Sequence, residues 1–325
     1  MKQIQIEKIE NIKIGHATNK EGGTGCTVII CENGAPCGLD VRGGGPASRE
    51  SELLKPTAAC QGIHALLLSG GSAFGLDAAG GVMQFLEERN IGFETGIVKV
   101  PLVCESCIFD LGVGDKNARP DKSMGYEACI NAYHNDPLQW GNIGAGCGAS
   151  VGKIKGKDYA MKSGIGSYAI QLGELKIGAI VCVNAVGDVY DPENGKQIGG
   201  LLNESKNGVI SSLQLLSSNH DKGLATNTTI GTIITNAYFD KTKMNKIAQM
   251  AQNGLARTIK PVHTSMDGDS IYAMSTGNLT ADIDLVGTLA AEVMAYAIKN
   301  AFIQCESAYD LPSYREIICS NKKSE

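Results

Sequence analysis

Thr228 stands directly behind a long polar stretch, in the run Asn227-Thr228-Thr229-Ile230-Gly231-Thr232-Ile233-Ile234-Thr235. A hydroxyl nucleophile needs a base, and a residue with a free α-amine carries its own, because that amine titrates near 8 and can take the hydroxyl proton. An internal threonine has no such amine until the preceding peptide bond is broken. Attack of the Thr228 hydroxyl on the Asn227 carbonyl would move the acyl group from nitrogen to oxygen and leave an ester for water to cleave. The plainer alternative is that Thr228 only starts a strand, since β-branched residues favour strands.

Downstream, in HTSMDGDSIYAMSTG, Asp267 and Asp269 lie two apart across a glycine. In extended backbone both carboxylates face one side and can reach one site, where they would orient an ammonium and hold its protons; DGD is also an ordinary turn. Lys162, in AMKSGIGSYAIQL, is one cation between an apolar pair and two glycines that lead into a strand. It is suited to a hydroxyl or a developing negative charge, or else to the surface. Asn184 ends the apolar run LKIGAIVCVN, where its amide could donate to an oxyanion or start the next turn. The glycine-rich segment 70–81, GGSAFGLDAAGG, precedes a helix as a phosphate cradle would, but the P-loop lysine and the GxGxxG spacing are missing. It reads as tight strand-to-helix packing that could line a pocket.

The elements that would position these residues are short and separated by glycine, 41 of 325 residues. Strands are expected over 11–16, 26–31, 65–69, 97–103, 175–183 and 229–235, and helices over 72–90, 243–255 and 280–302 from their 3.6-residue periodicity. Sheet and helix in separate layers give the α/β or α+β class. Residues 191–226 break the rhythm with a tract rich in Asn, Ser, Gly and Lys, longer than a compact domain usually leaves as loop.

The composition, 43% hydrophobic and 19% charged, supports a sizeable core. A net charge of −5 with scattered lysines and arginines argues against a nucleic-acid partner. No sequence run of about eighteen apolar residues marks a membrane span. The N-terminus, MKQIQIEKIENIKIG, lacks a basic start and an apolar block, so a cytoplasmic protein is expected, with its eleven cysteines as thiols. Cys104 and Cys107 form a CxxC with no second half-site, and none of the five histidines, His220 among them, stands at zinc-finger spacing from it. Neither a metal nor a cofactor is expected.

Taken in order, IGHAT from Ile14, VRGGGPASRE from Val41, LLLSGGSAFGLDAAGGVMQFLEE, VPLVCESCIFDLGVGD, NIGAGCGASVGK and NTTIGTIIT resemble the P1 family of peptidases. This is the L-aminopeptidase D-amidase/esterase (DmpA) family, which includes β-aminopeptidases and endo-type 6-aminohexanoate-oligomer hydrolases. The resemblance covers nearly the whole chain. It implies a four-layer αββα sandwich and self-cleavage before Thr228 into chains 1–227 and 228–325 of one peptidase domain. It also implies assembly into a homotetramer and action on small peptides or peptide-like amides. By motif position Thr228 matches the nucleophile, Lys162 and Asn184 the polar groups around it, and Asp267 and Asp269 the acidic pair of the nylon-oligomer branch, which is a Ser and a Glu in the aminopeptidase branch. Tyr126, in MGYEAC, matches a pocket tyrosine more loosely. Two other readings fit the same resemblance: acyl transfer as in the ornithine acetyltransferases, and a non-catalytic, self-processed binding protein.

Overall fold

The computed structural model describes residues 1–134, 136–218 and 227–319. Its main strands are Lys13–Asn19 (β1), Thr24–Val41 (β2), Gly62–Ser69 (β3), Val103–Cys107 (β4), Ile165–Leu172 (β5), Leu175–Asn184 (β6), Thr228–Ala237 (β7) and Ser270–Leu279 (β8). Its helices are Ala78–Glu87 (α1), Lys122–Ala132 (α2), Ser212–Ser218 (α3), Lys241–Thr258 (α4) and Ile283–Ile303 (α5).

The strands form one sheet folded into two leaves, and β2 belongs to both. The start of β2 pairs with β1 and β3, its register slips between Ile30 and Ala35, and its end pairs with β8. One leaf holds β1, β2, β3, β4 and the short strand Ser48–Arg49; the other runs Lys2–Ile4, β5, β6, β7, β8 and the end of β2. Neighbours are antiparallel except β3 with β4 and β7 with β8.

Period-two alternation sorts the side chains into layers. Along β6, Ile180 and Cys182 face the core between the leaves, while Ile177, Ala179, Val181 and Val183 face α4 and α5. Along β2, Ile29 and Cys31 face inward, while Cys26, Val28 and Ile30 face α1 and α2. The result is helix, sheet, sheet, helix, the αββα order that the resemblance implies. The layers approach closely: a Cβ on Gly38 would lie 2.1 Å from the Asn245 nitrogen of α4. Helix α5 is long and apolar enough to cross a membrane by composition, but it is spent largely on burial against the sheet.

Most expected elements are present, with shifted ends. Residues 97–103 do not form one strand. Phe93–Glu94 and Lys99–Val100 make a small exposed hairpin with Ile97 94% exposed at its tip, and β4 begins only after Pro101, which has no N–H for a ladder. The first turns of the expected helix 72–90 are 3₁₀, Ser72–Asp77, because Gly71 and Ser72 both take positive φ. Helix α2 and strand β8 complete the layers without having been expected; α2 buries only small residues, Gly125, Ala128, Cys129 and Ala132, and so shows little amphipathic signal. The described part of the polar tract 191–226 holds a short strand, Gln197–Gly199, and α3. Residues 219–226, with His220, lie outside the described residues.

Candidate active site

Thr228 is the first residue of β7, which is flanked by β6 and β8 in the middle of its leaf. The pairing sets Thr228 opposite Asn184, the last residue of β6, and Asn227 beside Asp267 in a single parallel bridge. Strand order therefore brings four of the expected residues together: Thr228, Asn184, Asp267 and Asp269, all buried.

The carbonyl before Thr228 is doubly engaged. Asn227 O accepts the Gly268 N–H at 2.8 Å and a short hydrogen bond from the Thr228 hydroxyl, while Asn227 N donates to Met266 O at 3.3 Å. A peptide carbonyl with a backbone N–H aimed at its oxygen and a hydroxyl beside it is polarised for attack. Gly268 has to be glycine, since a Cβ there would stand 2.8 Å from the Thr228 Oγ1.

The two aspartates hold different partners. Asp269 uses both oxygens structurally: Oδ1 accepts the Thr229 N–H at 2.7 Å, and Oδ2 accepts His263 N at 3.2 Å and His263 Nδ1 at 2.8 Å. Asp267 accepts Thr264 N at 2.8 Å through Oδ2, and its buried Oδ1 has no hydrogen-bond partner among the described residues. Burial first, and then the neighbouring Asp269 charge, push the Asp267 carboxyl above the usual carboxylate range. The acidic loop is braced from behind by Arg42 N and Gly45 N, which donate to the Asp269 and Asp267 carbonyls at 3.0 and 2.8 Å. This approach explains two of the three glycines of VRGGGP, because a Cβ on Gly43 would lie 2.2 Å from Asp267 O and one on Gly44 2.5 Å from Ser265 O.

The lysine beside this group is Lys153 and not Lys162. The Lys153 Nζ donates to Asn184 Oδ1 at 2.7 Å and to Asn184 O at 3.0 Å. Burial brings its ammonium down to about 7, with Asp267 the main charge acting in the other direction. The buried Lys162 ammonium instead donates to the backbone carbonyls of Gly146, Ala149 and Ser163, where burial lowers its pKa. It thereby ties down the loop whose Ser150 N–H bonds Asn184 Oδ1 at 3.1 Å. The missed signal was the lysine that ends NIGAGCGASVGK; Lys153, Lys155 and Lys157 alternate there, and the sequence alone does not say which one turns inward.

Asn184 also makes structural bonds. One N–H of its amide nitrogen donates to Phe109 O at 3.0 Å, while its Oδ1 accepts from Lys153; Asn184 thus holds Lys153 and Phe109 in place, and the backbone donor on the Asn227 carbonyl is Gly268 N–H. Tyr126 does not join the site. It lies on α2 in the outer layer, with its hydroxyl on Glu88 at 2.6 Å and its ring edge-on to Phe85.

A pocket of about 190 Å³ opens beside Thr228 and Asn227, walled by Phe109, Met266, Cys107, Ala47 and Ser72 among others. Ser72 brings the glycine-rich segment 70–81 to this wall. That segment is anchored by the buried Asp110, whose Oδ1 accepts Gly71 N at 2.6 Å and whose Oδ2 accepts the Thr24 hydroxyl at 2.7 Å.

Comparison with known proteins gives the family and the fold. The profile of peptidase family S58 matches residues 5–311. An uncharacterized aminopeptidase of Mycobacterium leprae is 36% identical over 346 residues, covering 95% of this chain and 92% of the relative. A 6-aminohexanoate-oligomer endohydrolase of Paenarthrobacter ureafaciens is 31% identical over 309 residues, covering 89% of this chain and 83% of the relative. Among solved structures, the L-aminopeptidase D-Ala-esterase/amidase of Ochrobactrum anthropi, a variant of the Ntn hydrolase fold, superposes with a TM-score of 0.73 at 16% identity, covering 97% of this chain and 93% of the other. A Burkholderia sp. β-aminopeptidase superposes with a TM-score of 0.69 at 18% identity, covering 97% and 92%. At such identities the structural likeness speaks to the fold, which is the layered sandwich described above.

Proposed function

The chain belongs to peptidase family S58 and is a hydrolase of amide or peptide bonds; from that premise we propose that it cleaves itself between Asn227 and Thr228 and then works through the freed Thr228. The observation that carries this reading is the Asn227 carbonyl, held by Gly268 N–H at 2.8 Å with the Thr228 hydroxyl bonded to the same oxygen.

In self-cleavage the Thr228 Oγ1 bonds to the Asn227 carbonyl carbon, the C–N bond breaks, and the nitrogen takes a proton to become the new α-amine. Water then cleaves the ester, leaving an Asn227 carboxylate and restoring the hydroxyl. The hydroxyl proton needs an acceptor that is not yet the threonine's own amine. Lys153, brought near neutrality by burial and hydrogen-bonded to the residue paired with Thr228, is placed to serve. In turnover the α-amine takes over as base, Thr228 forms an acyl-enzyme with the substrate carbonyl, and Gly268 N–H faces the oxyanion. No step calls for a metal or a cofactor.

The substrate class is small peptides or peptide-like amides. The acidic pair Asp267 and Asp269 supports the oligomer-hydrolase branch and amides of ω-amino acids, although the aminopeptidase relative is more identical than the endohydrolase relative, 36% against 31%. The working form is a homotetramer of processed heterodimers, as the sequence resemblance implies.

Intact-mass spectrometry tests the nucleophile. Wild type should resolve into fragments ending at Asn227 and beginning at Thr228. Thr228→Ala should remain a single 34.1 kDa chain and hydrolyse nothing. Turnover by the alanine variant would remove Thr228 from the mechanism.

A further inference from the structure

His263 is a residue that the sequence did not single out, yet its ring is set against the acidic pair. Its Nδ1 lies 2.8 Å from Asp269 Oδ2, and its backbone N–H reaches the same oxygen at 3.2 Å. The other ring nitrogen, Nε2, is buried without a hydrogen-bond partner among the described residues, so the Nδ1 bond alone orients the ring. The backbone takes φ 56°, a left-handed conformation that a bulky residue adopts at some cost. Asp269 in turn holds the Thr229 N–H through Oδ1 at 2.7 Å. A continuous line therefore runs from the imidazole through one carboxylate to the backbone one residue past the nucleophile.

This line matters most after the chain has been cut. In the intact chain Thr228 is held from both sides, because Asn227 is itself pinned by Met266 O and Gly268 N. Once the bond before it is broken, Thr228 becomes a chain end, and strand ends fray unless they are tied down. Thr228 keeps its pairing with Asn184 on one side, and the next tie on the new strand is Thr229 N–H to Asp269. We propose that His263 is a positioning residue for turnover: by donating two hydrogen bonds to one oxygen of Asp269 it locks that carboxylate, which then clamps the freed end of β7 so that Thr228 stays in place for attack. The proposal rests on Thr228 being the processed nucleophile.

The positive φ supplies clean variants, because Gly and Asn both accept it. His263→Gly removes the ring donor without adding strain and keeps the backbone N–H. His263→Asn puts a short amide donor back toward Asp269. Self-cleavage is followed by mass spectrometry, and kcat and KM are measured on fully processed protein with a panel of amino-acid amides and ω-amino oligomers. His263→Gly should self-cleave at close to the wild-type rate while its kcat falls about tenfold or more with KM little changed, as expected for the loss of a charge-assisted positioning bond. His263→Asn should recover most of that kcat. Equal loss of self-cleavage and turnover, an unchanged kcat in His263→Gly, or failure of His263→Asn to recover activity would each overturn the proposal. Wild type that does not self-cleave, or turns over no substrate in the panel, would instead remove the Thr228 reading and this proposal with it.

Discussion

At the scale of single residues, Lys153 has the environment that makes the sharpest prediction. Its ammonium is buried on Asn184 and titrates near 7, so the neutral amine forms within the ordinary working range. Because self-cleavage needs a proton acceptor, its rate should rise with pH through about 7. Lys153→Met should slow it about a hundredfold, the scale of a lost general base, and abolish that rise. Lys162→Met should act through stability instead, because it strips three loop carbonyls of their donor. The linkage has a definite sign. The folded-state pKa of Lys153 lies below the 10.5 of the free side chain, so between those values the unfolded chain holds the extra proton and folding stability rises with pH. Denaturant melts of wild type and Lys153→Met across that window should diverge in favour of wild type as pH increases.

Among the elements, β4 carries a buried carboxyl that no step of the proposed chemistry uses. Glu105 accepts the Ser69 hydroxyl at 2.7 Å, and burial pushes its carboxyl up to about 8. A folded pKa above the unfolded 4.5 means that this group's contribution is fully present below 4.5 and is lost as pH rises through 8. Glu105→Gln should flatten that loss: the variant should melt several degrees above wild type at mildly alkaline pH and close to it near pH 5. Melts that stay parallel across this range would show that Glu105 is not the group responsible. The same strand shows how element ends escape a sequence pattern. Residues 97–103 are as apolar as a strand, but Pro101 interrupts the ladder, and partnership with β3 begins two residues later. In α2 the reverse holds, since the helix packs through small residues and so leaves no apolar stripe to read.

At the scale of the molecule, β7 is the strand that the proposed cut would liberate, yet it lies between β6 and β8 and contributes to both cores, Ile233 toward the helices and Ile230 toward the other leaf. Fragments 1–227 and 228–325 should therefore stay together after cleavage. Processed protein should give two bands under denaturing conditions and one species at an undivided native mass by light scattering; separation of the fragments without denaturant would contradict the central placement of β7.

The sequence by itself determined the layered class, the run that becomes β7, and the candidate group Thr228, Asn184, Asp267 and Asp269, because period-two and 3.6-residue patterns and a short ordered set of motifs are local properties of a chain. Tertiary structure alone decided which lysine bonds Asn184, that the Asn184 amide reaches Phe109, that Tyr126 stays in the outer layer, and that His263 stands behind Asp269. Each of these depends on where a side chain points once distant strands are neighbours. Lys153 and Lys162 are nine positions apart in similar glycine-rich surroundings, and only the fold of the loop between them turns one toward Asn184 and the other toward backbone carbonyls.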